Sequence, residues 1–80
     1  MKYYQRIKEL REDHDKKQKD IALFLGEYIT TYQRWERGET EMPLHILTKL
    51  CKYYNVSADY ILELPKGLPY PERDKTKRQI

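Results

Sequence analysis

The 21-residue stretch from Gln18 to Gly38, QKDIALFLGEYITTYQRWERG, constrains the fold of this chain more than any other. Its apolar residues fall into two short helical stripes with a glycine between them. Ile21, Ala22 and Leu25 are spaced i, i+1, i+4, one face of a helix that starts at Gln18. Gly26 follows, and glycine most easily takes the left-handed backbone that ends a helix and redirects the chain. Tyr32 and Trp35, spaced i, i+3, define the buried face of a second helix that stops at Gly38. Ala22 offers a small side chain where the two helices must cross closely.

Two short helices held at a fixed angle by such a turn form the helix-turn-helix pattern. The flanking segments predict three more helices. Upstream, Tyr3, Ile7, Leu10 and His14 recur at i, i+4, i+7, i+11, one apolar stripe on a helix from Tyr3 or Tyr4 to about Asp13. A polar connection, Asp13 to Lys17, leads to the next helix, and Asp15 is a candidate cap that would start that helix early. Downstream, Glu39-Thr40-Glu41 reads as a loop, and Pro43 suits the first turn of a fourth helix. Leu44, Leu47, Leu50, Cys51 and Tyr54 continue at helical spacing to Asn55, a candidate C-terminal cap. Ser57 then reads as an N-cap with Asp59 in the first turn of a fifth helix, which buries Ile61 and either Leu64 or Tyr60. Pro65, Gly67, Pro69 and Pro71 end regular structure. The expectation is an all-α, compact five-helix domain over 1–64, with the helix-turn-helix unit at about 18–37. A short basic tail over 65–80 is expected to be extended or disordered.

At 80 residues there is room for one modest core. No run of eighteen apolar residues is present, so no membrane span is expected. The segment MKYYQRIKELRED lacks the apolar core of a signal peptide, and the single Cys51 cannot form an internal disulfide. Together these predict a cytoplasmic protein. The net charge of +3 is less informative than its distribution. Residues 1–64 carry 11 basic and 11 acidic side chains, and the surplus lies in the tail at Lys66, Arg73, Lys75, Lys77 and Arg78. Within the neutral domain, Lys16, Lys17 and Lys19 cluster where the second helix begins. His14 and His45 lack metal-ligand spacing, and no nucleophile, base and orienting group come together in the sequence. No cofactor, no metal and no enzymatic activity are expected.

The ordered series RIKELRED, QKDIALFLG, YQRWERGETEMP and LTKLCKYYNVSADYIL resembles the lambda-repressor/Cro-like, or xenobiotic-response-element (XRE), helix-turn-helix family. The resemblance runs from about Arg6 to Leu64. It departs from the family at Lys16 and Lys17, where an apolar residue and a Ser or Thr cap are usual, and at Glu27-Tyr28, where a small or apolar residue and a cap are usual. The lost cap at Lys17 is worth roughly 1 kcal/mol. The resemblance implies a DNA-binding transcriptional regulator, expected to be a repressor, whose third helix enters the major groove of double-stranded DNA. Tyr28, Ile29, Thr30, Gln33 and Arg34 then take base-facing positions. Lys17, Gln18, Lys19, Thr31 and Arg37 are candidates for phosphate contact, with Thr40 beside them. Gln18 stands where the family has a glutamine that bonds a phosphate and braces a base-reading side chain. Arg11 and Glu36 correspond to a structural ion pair between helices one and three, while Trp35, Ala22 and Gly26 hold the fold. The resemblance also implies a homodimer on DNA, with Tyr54, Val56, Tyr60, Ile61 and Leu64 at its interface, extended by Leu68 and Tyr70. Two alternatives stay open: an antitoxin that holds a toxin through its tail, and a helix-turn-helix module used for interaction with a protein partner or effector.

Overall fold

The computed structural model describes residues 2–69, and among them every regular element is helical. The order is α1 (Tyr3–Asp13), α2 (Gln18–Leu25), α3 (Ile29–Arg37), α4 (Leu44–Tyr54) and α5 (Ala58–Leu62). Packing follows from the stripes. Helix α3 lies against both α1 and α2, while α5 packs on α1 and α4. Ile7, Ile21, Tyr32, Ile46, Leu50 and Ile61, drawn from all five helices, are the most deeply buried large side chains. Around them Leu10, Ala22, Leu25, Trp35, Met42, Leu47 and Tyr54 complete a single core, with Tyr3, Cys51 and Val56 packed against it. Tyr3 also fastens the loop before α4, its hydroxyl accepting the Met42 N–H at 3.1 Å.

Helix ends are settled by local hydrogen bonds. Gly26, at φ 72°, ends α2, with its N–H on the Leu23 carbonyl and the Glu27 N–H on the Ala22 carbonyl. Gly38 at φ 77° and Asn55 at φ 56° end α3 and α4 with the same paired arrangement. Ser57 caps α5 as expected, its hydroxyl accepting the Tyr60 N–H at 3.2 Å.

Four local expectations are corrected. Asp15 does not cap α2. It sits at φ 54° and ends α1, with its own N–H on Glu12 and the Lys16 N–H on Arg11. The start of α2 is satisfied from inside instead, where the Asp20 carboxylate accepts the Lys17 N–H at 2.9 Å. His14 lies just past α1 and is exposed, its ring against Tyr54 at 4.9 Å. Pro43 is the residue before α4, not within it, and its carbonyl accepts the Ile46 and Leu47 N–H groups. That start turns Leu44 outward at 78% exposure and seats Ile46 in the core. Of the pair Leu64 and Tyr60, neither is buried. The Tyr60 ring instead carries the Arg6 guanidinium 4.5 Å from its centroid, and Arg6 also bonds Glu63 at 2.6 Å.

The glycines make a testable contrast. A Cβ on Gly26 would meet nothing within 4 Å, so Gly26→Ala costs only the left-handed backbone, about 1–2 kcal/mol. A Cβ on Gly38 would lie 2.5 Å from the Tyr4 ring, so the ring must also move. Gly38→Ala is expected to lower the melting temperature more than Gly26→Ala. Equal shifts would show that Tyr4 yields freely.

Candidate nucleic-acid interface

Helix α3 divides cleanly into an inner and an outer face. Tyr32, Trp35 and Glu36 are buried, while Ile29, Thr30, Arg34 and Arg37 are exposed and Thr31 and Gln33 are half-buried. The 3.6-residue period therefore places Ile29, Thr30, Gln33, Arg34 and Arg37 along one outward ridge. Tyr28, the residue before the helix, is 82% exposed and offers no side-chain cap, so its ring stands free at the start of that ridge. Lys16, Lys17 and Lys19 are exposed at the neighbouring start of α2, and Gln18 is half-buried between the two helices. The ten residues assigned to nucleic-acid contact by sequence thus lie along α3 and at the starts of α2 and α3. Arg37 is held by Glu39 in a surface ion pair and must release it to meet a phosphate. Thr40 is exposed in the loop that follows.

Beneath the ridge runs a polar chain that ties three helices together. Arg11 of α1 grips Glu36 of α3 with two bonds, Nε to Oε2 and Nη2 to Oε1, each 2.9 Å. The Arg11 Nη1 also donates to the Lys16 carbonyl at 2.8 Å, fixing the connection into α2. Gln18 Nε2 donates to the same Glu36 Oε1 at 3.1 Å, and Gln33 Nε2 donates to Gln18 Oε1 at 3.1 Å. Burial alone would raise the Glu36 carboxyl. Its surroundings outweigh that: the Arg11 guanidinium first, then the dipole of the adjacent Tyr32 hydroxyl, then the Gln18 amide hold it below the ordinary carboxylate range. Tyr32 Oη lies beside that carboxylate without a partner at hydrogen-bonding geometry, and its burial and the adjacent negative charge push its ionisation far up. The ion pair and the bracing glutamine are separate expectations of the sequence. That they share one carboxylate oxygen is what sequence reasoning missed, because residues 11, 18, 33 and 36 meet only when three helices pack.

The remaining assigned residues take structural places. Ala22 of α2 is buried at 3% exposure, and Trp35 is 6% exposed in the core. Tyr54 and Ile61, expected at a dimer surface, are instead core residues at 5% and 0% exposure. Val56 is half-buried, while Tyr60, Leu64 and Leu68 are exposed. Tyr70 lies outside the described residues. No helix among the described residues is long and apolar enough to cross a membrane.

A family-wide sequence profile described as Helix-turn-helix matches residues 7–61, the span from the first core residue of α1 to that of α5. The chain belongs to the XRE-type helix-turn-helix family. It is also similar to an uncharacterized HTH-type transcriptional regulator of Bacillus subtilis, YobD, with 36% identity over 62 residues. That match covers 78% of this chain and 55% of the relative, so the chain spans about half the length of the curated relative it matches. No solved structure gives a significant match. The matched residues 7–61 contain the whole of α2, the turn at Gly26 and α3, the helix-turn-helix unit of that family.

Proposed function

We propose that this chain is a sequence-specific transcriptional repressor that lays α3 in the major groove of a two-fold symmetric operator and acts in the cytoplasm as a homodimer on DNA. The observation that carries this reading is the single outward ridge Ile29, Thr30, Gln33, Arg34 and Arg37, standing next to exposed lysines at the start of α2. In this docking Arg34 donates two hydrogen bonds to a guanine, the most specific single contact of the major groove. Ile29 and Thr30 pack on a thymine methyl, with Tyr28 at the edge of the same groove. Lys17, Gln18, Lys19, Thr31 and Arg37 contact phosphates, which fix the register of the helix without reading sequence. The exposed Tyr60, Leu64 and Leu68 form the dimer surface, with the half-buried Val56 at its edge.

Arg34→Ala is expected to cost ~1–3 kcal/mol on the specific duplex and far less on a random one. Lys17→Ala should weaken both duplexes evenly, and binding by the wild type should fall steeply with salt as counterions are released. Fluorescence anisotropy on the two duplexes separates these effects. Equal losses for Arg34→Ala on both would remove Arg34 from base reading.

A second reading has its own support: residues 2–64 are charge-balanced, and Tyr28 at 82% and Ile29 at 41% expose apolar surface on the ridge itself. On this reading the same ridge takes up a protein partner. Tyr28→Ser would then abolish partner capture while the salt-dependent DNA binding above is absent.

A further inference from the structure

We propose that the end of α2 and the end of α4 together form a docking face for an acidic, amphipathic peptide segment of another protein, with Phe24 and Tyr53 as its apolar anchors. The inference goes beyond the reading above, and it uses neither the α3 ridge nor the surface formed by Tyr60, Leu64 and Leu68.

Phe24 and Tyr53 come from different helices and lie ring against ring, with centroids 4.5 Å apart and planes tilted by 40°. Although each ring covers part of the other, Phe24 stays 48% exposed and Tyr53 36%, and Leu23 beside them is 82% exposed. The core closes without any of the three. One exposed apolar residue is ordinary, but two stacked rings with a leucine next to them make a patch. The patch is also held in place. Tyr53 stands edge-on to Tyr54, centroids 5.1 Å apart, and Tyr54 is a core residue. Apolar groups already fixed in position give up little freedom when a partner covers them.

Charge identifies the partner. Lys49 lies one turn before Tyr53 on α4, and Lys52 is three residues beyond Lys49 on the same side. Both are exposed, and neither forms an ion pair among the described residues. The carboxylates at the other side of the patch leave them unanswered: Asp20 accepts the Lys17 N–H, and Glu27 is half-buried. A partner that lays apolar side chains on the rings therefore meets a positive rim, which acidic residues flanking its apolar face complement.

The same charges argue against the occupants that this chain could supply. Two copies meeting through this patch would set Lys49 and Lys52 against their own kind. The acidic outer side of α1, with Glu9, Glu12 and Asp13, carries no exposed large apolar residue to place on the rings. The segment after Leu64 is itself basic, with Lys66, Arg73, Lys75, Lys77 and Arg78 against Glu72 and Asp74. A helix with apolar residues at i and i+3 or i+4 and acidic flanks satisfies the rings and the lysines together.

The test is a selection of displayed random peptides on the immobilised full chain, with Phe24→Ser used to discard peptides that do not need the face. The survivors are expected to join leucine or aromatic residues with glutamate or aspartate. The most enriched peptide, made synthetically, should shift the NMR amide signals of Leu23, Phe24, Lys49, Lys52 and Tyr53 in the wild type. Lys49→Glu/Lys52→Glu leaves the rings and the core in place, so it decides the question even where Phe24→Ser loosens α2. It is expected to weaken the peptide by about tenfold or more, because two attractions become repulsions. Selection of no peptide that depends on Phe24, or of basic or uncharged ones, overturns the proposal. So does equal peptide affinity in Lys49→Glu/Lys52→Glu. Self-association of the wild type that ends in Phe24→Ser would give the face to a second copy, and loss of duplex binding in Lys49→Glu/Lys52→Glu would give it to DNA. Either result also overturns an acidic peptide as the occupant. If the wild type binds no duplex, the DNA-binding reading fails, while the peptide selection still decides the docking face.

Discussion

Trp35→Ala is expected to unfold the domain or leave it severely loosened at room temperature. The indole is 6% exposed and lies on the inner face of α3, between the helices that hold that element in place. Truncating a buried tryptophan costs ~3–5 kcal/mol, from lost apolar burial and from the cavity left behind. A domain of this size has a total stability near the lower end of the roughly 5–15 kcal/mol range, so the loss consumes most of it. Thermal melting followed by circular dichroism tests the expectation. An unchanged melting temperature would mean that Trp35 is not part of the core and is free to meet a ligand.

The second large effect falls on the buried ion pair. Glu36→Ala removes both carboxylate oxygens that Arg11 bonds and strands a guanidinium whose side chain is only 11% exposed, with the Lys16 carbonyl as its remaining bond. Breaking a buried pair from one side costs ~3–5 kcal/mol, and the partly open Arg11 end puts this case near the lower figure. Arg11→Met/Glu36→Met, which removes both charges, is expected to stay close to wild-type stability. The pH dependence has a definite sign. The folded Glu36 carboxyl titrates below its unfolded value of about 4.3, so its contribution is fully present above that pH. It is lost as pH falls through the depressed folded value. Wild type should therefore lose more stability than the double variant between about pH 4.3 and strongly acidic conditions. Parallel acid-denaturation curves would show that Glu36 is not the responsible group.

Much of this was legible from residues alone. The glycines at 26 and 38, Asn55 and Ser57 mark helix ends because only a few residue types satisfy those backbone positions. The face of α3 followed from Tyr32 and Trp35, since two large aromatics at i, i+3 leave a nine-residue helix little choice of orientation. Other features were not legible. Leu44, Ile46 and Leu47 are all apolar, so which of them faces inward depends on the residue at which α4 starts, and Pro43 sets that start one position later than expected. Asp15 reads equally well as the end of one helix or the beginning of the next, and only its left-handed backbone decides. Tyr54 and Ile61 fit an apolar surface as well as a core until α5 is seen to pack on α1 and α4. The sharing of Glu36 between Arg11 and Gln18 is a property of three packed helices and has no local signature.

Reading of a symmetric operator by two copies of α3 is the central claim, and selection of bound duplexes from a random DNA library tests it most directly. One recognition helix contacts too few base pairs to choose a site in a genome, which is why the proposed repressor acts as two copies. The selected duplexes are expected to share a two-fold symmetric sequence with half-sites centred ~10 base pairs apart, one helical turn. Inserting five base pairs between the half-sites, which turns them to opposite faces of the duplex, should abolish cooperative binding. Selection of no shared sequence, or full-strength binding by a monomer after the insertion, would contradict the account.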